Sequence, residues 1–344
     1  MVNASTVSKP DPIADLSSDL ARLAHELVNS IVEMSRIHMH SAQYAEALAL
    51  VDSDLIQFVG THVSAADIAR IRIAKAAVLH LRSRDSGEGR ADVMRYIETT
   101  EAAVLGSEDK EVLAEYLQVR ASAVMEQELM AGRSYDAALD PLTRALALFE
   151  ETGNQNGIAE SLFGIGLVHE FRREDIDSSK AKAFDLYQRA RSIAREVGDL
   201  RVQSDAARHL GGIEQDRGNL DAALAMFEES LALRQKLGYR GTLPGAYDAV
   251  AAIHLEKGNL DEALKYIAQT QRWAEETGFQ RYVLLAKLRA GDVFKARGER
   301  QEAEDKYREA LAVAEASSFQ PGIDWASELI EKLDHGRVEE GMES

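Results

Sequence analysis

The 344-residue sequence contains no cysteine, which excludes disulfides, thiolate nucleophiles and cysteine-ligated metals and suits a reducing compartment. Proline is scarce, at 5 residues, and Phe, Trp and Tyr together make up only 6% of the chain. Few residues therefore favour sheets, whereas Ala, Leu, Glu and Arg, which favour helices, are abundant. Basic charge is short as well: 40 Lys and Arg stand against 58 Asp and Glu, a net charge of −18. A surface that acidic repels phosphate backbones and anionic lipid, so nucleic-acid or membrane binding would need a local basic patch. The longest basic cluster, Arg172-Arg173, runs at once into Glu174, Asp175 and Asp177. The segment Met1 to Leu20 is polar and lacks the basic start and apolar run of a signal peptide. No stretch approaches the roughly 20 apolar residues of a membrane span. These absences lead to the expectation of a soluble, cytoplasmic, all-α protein.

What is present is a repeat. Gly218, Gly258 and Gly298 are 40 residues apart, and each precedes a helix of one design, Asn219-Leu220-Asp221-Ala222-Ala223-Leu224 in the first copy and Asn259-Leu260-Asp261-Glu262-Ala263-Leu264 in the second. Gly198, Gly238 and Gly278 keep the same interval, with Ser318 in the fourth slot. A glycine can take the left-handed conformation that closes a helix, so two per period mark two helix ends. Leu220, Ala223, Leu224, Phe227 and Leu231 recur at steps of three and four, the stripe of an amphipathic helix. Small residues stand where two helices would cross: Gly211, Ala251 and Gly291 in first helices, and Ala223, Ala263 and Ala303 in second helices.

Gly211, Gly218, Ala223, Phe227 and Ser230 form a pattern that Gly291, Gly298, Ala303, Tyr307 and Ala310 repeat, and the pattern resembles the tetratricopeptide repeat. Departures exist. Glu214, His254 and Phe294 occupy a slot usually held by Tyr, Ile267 replaces the aromatic, and the period exceeds the usual repeat of about 34 residues. The longer period looks like that of kinesin light chains, cell-polarity scaffolds and bacterial peptide-sensing or maltose-type regulators. The resemblance implies a right-handed superhelical solenoid of about seven helix-turn-helix pairs closed by a capping helix. The expected boundaries are a disordered tail at 1–12, divergent helical repeats at 13–130, clear repeats at 131–320, a capping helix at 321–334 and a disordered tail at 335–344.

Nothing in the chain reads as a catalytic, cofactor or metal site. His38 and His40 are two apart, which turns them to different sides of a helix, and no metalloprotease, nucleophile-elbow or phosphate-loop pattern occurs. His38, His169 and His254 fall in the slot where the family packs a Tyr between helices, a structural reading for all three. Gly164-Ile165-Gly166 lacks the third glycine of a dinucleotide fingerprint and falls within a helix, where it serves close packing.

The family binds ligands against its first helices, and the register assigns the groove positions. They are Glu160, Phe163, Leu167, Glu170 and Phe171 in the fourth pair, and Asp205, Arg208, Gly212, Gln215 and Asp216 in the fifth. The sixth contributes Gly245, Asp248, Ala252, Leu255 and Glu256, and the seventh Leu285, Leu288, Asp292, Lys295 and Ala296. Seven of these are acidic and two basic, so the expected partner is a protein or peptide segment with basic residues beside apolar anchors. A basic groove that clamps chaperone tails is the wrong sign for this chain. The resulting expectation is a protein- or peptide-binding adaptor or regulatory scaffold. The alternatives are an accessory sensor of a small ligand, an oligomeric structural scaffold and an enzyme built on helical repeats.

Overall fold

The computed structural model of the chain describes residues 12–53 and 62–342, and among them are 15 α-helices and no strand. They fall into two compact units. The first, residues 1–39 and 43–157, is built on α1 (Pro12–His40), α2 (Tyr44–Val51), α3 (Ala65–Ser86), α4 (Arg90–Ser107), α5 (Lys110–Met130) and α6 (Leu139–Thr152). The second, residues 40–42 and 158–344, is built on α7 (Gln155–Glu170), α8 (Ile176–Val197), α9 (Leu200–Asp216), α10 (Leu220–Leu237) and α11 (Leu243–Glu256). It continues through α12 (Leu260–Thr277), α13 (Gln280–Ala296), α14 (Arg300–Ala316) and α15 (Gln320–Met342). Within the units α3 packs on α4, α5 on α6, α9 on α10, α11 on α12 and α13 on α14, and α15 closes the series against α14. The expected all-α array of helix pairs with a terminal helix is present.

The expected tails fare differently. Residues 1–11 lie outside the described residues, and Pro12 opens α1. The segment expected as a tail at 335–344 is helical as far as Met342, because after Pro321 the sequence holds no proline to stop α15.

The periodic glycines do end helices. Gly198, Gly238 and Gly278 have φ of 77°, 68° and 77°, and at Gly198 this lets the Asp199 amide reach back to the Ala194 carbonyl at 2.8 Å. Ser318, which holds the fourth slot, takes the same left-handed region at φ 52° despite its Cβ.

The second recurring device is a size match inside each pair. A Cβ added at Gly166 would meet the Tyr187 ring at 2.5 Å, and one at Gly211 would meet the Phe227 ring at 2.9 Å. Gly291 stands against Tyr307 in the same way. In the remaining pair Ala251 clusters with Ile267, so a slightly larger residue on the first helix accompanies a smaller one on the second. Gly166 thus has a packing role, as its position inside a helix implied. In the Tyr slot, His254 is buried and stacks on Tyr266 with ring centres 5.3 Å apart.

Helix ends are also tied between pairs. Lys257 donates to Asp221, and one period later Arg297 donates to Asp261. In the first unit, α3 starts with a reciprocal cap. The Asp67 amide donates to Ser64 Oγ at 3.0 Å, the Ser64 amide donates to Asp67 Oδ2 at 3.2 Å, and His25 of α1 lies 2.7 Å from Asp67 Oδ1.

Neighbouring glycines on α9 have opposite surroundings, since a Cβ at Gly212 would meet nothing within 4 Å. Gly211→Leu should lower the unfolding free energy by about 1–3 kcal/mol through overpacking. Gly212→Ala should raise it by about 0.5–1 kcal/mol through helix propensity, and urea unfolding of the two variants checks the pair of signs.

Burial pushes the Asp67 carboxyl up, but the hydrogen bonds from Ser64 and His25 outweigh burial and leave it below the usual carboxylate range. A group lowered by folding stabilises above its unfolded pKa of about 3.9 and loses that contribution as pH falls through the folded value. Melting curves of the parent and Asp67→Asn should therefore differ at neutral pH and converge in strong acid.

Candidate functional site

The first helices of the second unit present one face to solvent, and α9 displays it most fully. Val202, Ala206, Leu210, Gly211 and Ile213 are buried, whereas Arg201, Asp205, Arg208, Gly212, Gln215 and Asp216 all retain access to water. At 100° per residue these six share one side of the helix. The expected groove positions of α9 are therefore the solvent-reaching ones. On α7, Glu160, Phe163, Leu167 and Glu170 are half-buried, and Phe171, just past its end, is exposed.

Further along, the face closes over. Of the expected positions on α11 only Leu255 and Glu256 reach solvent, since Gly245, Asp248 and Ala252 are buried. Two side chains of α13 contribute to this cover. The Tyr282 hydroxyl lies 2.6 Å from where a Gly245 Cβ would stand, and Arg289 donates from Nε and Nη2 to Asp248 at 2.5 and 3.1 Å. On α13, Leu285, Asp292, Lys295 and Ala296 keep some exposure, but Leu288 does not belong to an accessible face. It is 1% exposed and clusters with Leu284, Tyr307 and the α15 residues Ala326 and Leu333. A terminal helix needs an apolar seat, and Leu288 is part of that seat.

The carboxylates of the face are engaged by the chain itself. Arg201 pairs with Glu160 at 2.9 Å, and Arg234 of α10 pairs with Asp205 at 2.9 Å. Arg234 also donates from Nε to Ser204 Oγ at 2.9 Å and from Nη1 to the Thr242 carbonyl at 3.1 Å. Glu170 accepts from the Tyr187 hydroxyl at 2.5 Å and lies 2.7 Å from His209 Nδ1. Asp292 accepts from the Tyr307 hydroxyl at 2.7 Å, Lys180 donates to Asp216 at 2.5 Å, and Gln215 donates to Glu256. Among the described residues Arg208 makes no ion pair at contact distance, though its charge acts on Glu170, and it shares its side of α9 with the open space above Gly212.

Burial and pairing compete at these groups. Burial would raise the Glu170 carboxyl, but hydrogen bonds from His209 and Tyr187 prevail and hold it below the ordinary range. At Asp292 burial prevails over the Tyr307 hydrogen bond and over Arg289, so this carboxyl is raised. Burial lowers Arg234 despite Asp205, whereas at Arg201 the fields of Glu160, Asp205 and Asp199 overcome burial and raise the group. Glu170 and His209 have the geometry of an oriented general base, yet among the described residues the only hydroxyl hydrogen-bonded to that carboxylate is the fully buried Tyr187. No group of three or more His, Asp or Glu among the described residues converges to hold a metal ion.

Sequence reasoning did not assign Arg201, His209, Arg234, Tyr282 or Arg289 to this face. A signal for some of them exists: Glu160 and Arg201, Asp248 and Arg289, and Gln215 and Glu256 are each 41 residues apart, one period plus one step.

No helix among the described residues is long and apolar enough to cross a membrane. The sequence profile of the family described as Tetratricopeptide repeat matches residues 181–236, and no curated protein sequence matches the chain. Solved structures share the fold. One is a Rap protein complexed with competence and sporulation factor, at 13% identity, covering 91% of this chain and 99% of that one, with a TM-score of 0.54. A second is the Rap conjugation gene regulator of plasmid pLS20 in complex with the Phr* peptide, at 12% identity, 93% and 95% coverage, and TM-score 0.53. A third is the apo form of the quorum sensor NprR from B. thuringiensis, at 15% identity, 89% and 87% coverage, and TM-score 0.51. With its repeated helix pairs, their caps and their small-against-aromatic contacts, this chain has the fold of tetratricopeptide-repeat proteins, built here on a 40-residue period, and matches the family's profile over residues 181–236.

Proposed function

We propose that the first-helix face of the second unit binds an extended peptide segment and that the chain acts in the cytoplasm as a peptide-responsive regulatory scaffold. The observation that carries this reading is the α9 stripe, where Arg208 lacks an ion pair and Gly212 leaves open space among residues that reach solvent. A peptide needs such a surface, with room for its backbone and a few polar groups not already used by the protein. The shared fold with a regulator solved in complex with the Phr* peptide supports the same reading.

The chemistry of the partner follows from what remains available. Phe163, Leu167, Phe171 and Leu255 offer apolar contact, and Lys or Arg of the peptide would reach the exposed Asp216 and Glu256 only in competition with Lys180 and Gln215, which hold them in the free chain. Arg208 adds a requirement that composition did not suggest, a carboxylate in the same peptide.

Gly212→Trp tests the reading, because it fills the open space without touching the core. Peptides selected from a displayed library on the parent chain should lose at least about tenfold in affinity for Gly212→Trp, a change of about 1.4 kcal/mol. Arg208→Glu should reduce binding of those selected peptides that carry Asp or Glu. Titration calorimetry with variants that melt like the parent reads both effects, and unchanged affinity for Gly212→Trp would remove the face from consideration.

A further inference from the structure

Helix α1 uses only part of its apolar surface inside the chain. Ala24, Val28, Ile31 and Met39 are buried, and Val28 and Ile31 cluster with Val51 and Ile71. Beside this buried stripe runs a second one. Leu20, Leu23, Met34 and Ile37 are 40%, 51%, 48% and 47% exposed, and Leu27 between them is half-buried. Single exposed apolar residues are ordinary on a protein surface. These are not single: positions 20, 23, 27, 30, 34 and 37 alternate steps of three and four, the seam of a coiled coil. At 1.5 Å per residue the row is about 26 Å long.

Ser30 is the one polar member of the row, and its hydroxyl already donates to the Glu26 carbonyl at 2.9 Å. Burying it would leave no orphaned donor. The flanking charges are also compensated, since Arg22 holds Glu26 at 2.8 Å and Arg36 holds Glu33 at 3.3 Å.

We infer that this row pairs with the same row of a second copy of the chain, antiparallel about a two-fold axis. A two-fold interface requires one surface to complement itself. In the antiparallel register Leu20 meets Ile37, Leu23 meets Met34 and Leu27 meets Ser30, so every layer sets a large aliphatic side chain against a partner that fits it. The two Leu27–Ser30 layers fall at the centre, where a small residue lets helices cross closely. A parallel register would set Ser30 on Ser30 and leave that layer underfilled. One helix pair buries less than the roughly 1,200 Å² of a standard stable interface, so the dimer exchanges with monomer and forms as concentration rises.

Sedimentation of the full chain over a wide concentration range tests the inference. The parent should pass from monomer to dimer, and Leu23→Lys with Met34→Lys should stay monomeric while melting like the parent. The absence of cysteine makes the orientation measurable. A short bismaleimide should join Leu20→Cys chains to Ile37→Cys chains in a mixture, and should join neither variant to itself. A parent that remains monomeric at every concentration, or Leu20→Cys chains that join each other, would overturn it. Peptide affinity of the Leu23→Lys, Met34→Lys variant should match the parent, which separates this surface from the first-helix face.

Discussion

The second unit depends on the contact between a missing Cβ on a first helix and an aromatic ring on its second helix. Gly166 with Tyr187, Gly211 with Phe227 and Gly291 with Tyr307 bring the helices of a pair closer than a larger residue would permit. The ring supplies the buried area, and the glycine supplies the room. This contact also fixes the rotation of each first helix, because the glycine side must face inward. On α9 the inward Gly211 turns its neighbour Gly212, with Arg208, toward solvent. The packing of the core thereby chooses which residues a ligand could meet.

Charge follows a different rule from packing. A net charge of −18 suggests a face crowded with uncompensated carboxylates. Instead Glu160, Asp205 and Asp248 are matched by Arg201, Arg234 and Arg289, and Glu170 is held by His209 and Tyr187. Half-buried carboxylates need such partners, since an unpaired charge away from water is costly. Carboxylates at exposed positions, Asp216 and Glu256 of the face among them, are solvated by water instead.

Much of the fold was legible because its devices are local and periodic. Gly198, Gly238 and Gly278 signal helix ends within a few residues, and Phe227 and Tyr307 stand at a constant distance from the small residues they touch. The α9 stripe was legible for the same reason, since one helix with one buried side dictates its other side. Leu288 and Asp248 were not, because what covers them comes from elsewhere in the chain. Leu288 is covered by packing with α15, and Asp248 by the reach of Arg289 from the neighbouring first helix. Long side chains that lean one repeat backward leave no mark in the local pattern. They leave only the interval of 41, visible once the lateral contacts are known.

Arg234 gives this arrangement a property of its own. It joins Ser204 and Asp205 of α9 to the Thr242 carbonyl just before α11, and Asp205 lies within the fields of both Arg201 and Arg234. A single exchange of Asp205 for a neutral residue would strip one negative charge and leave Arg234 without its carboxylate, while Arg201 would keep Glu160. The polarity of the face is thus poised rather than graded. One substitution can change the charge of the face by a full unit at its most cross-linked point, without any rearrangement of its helices.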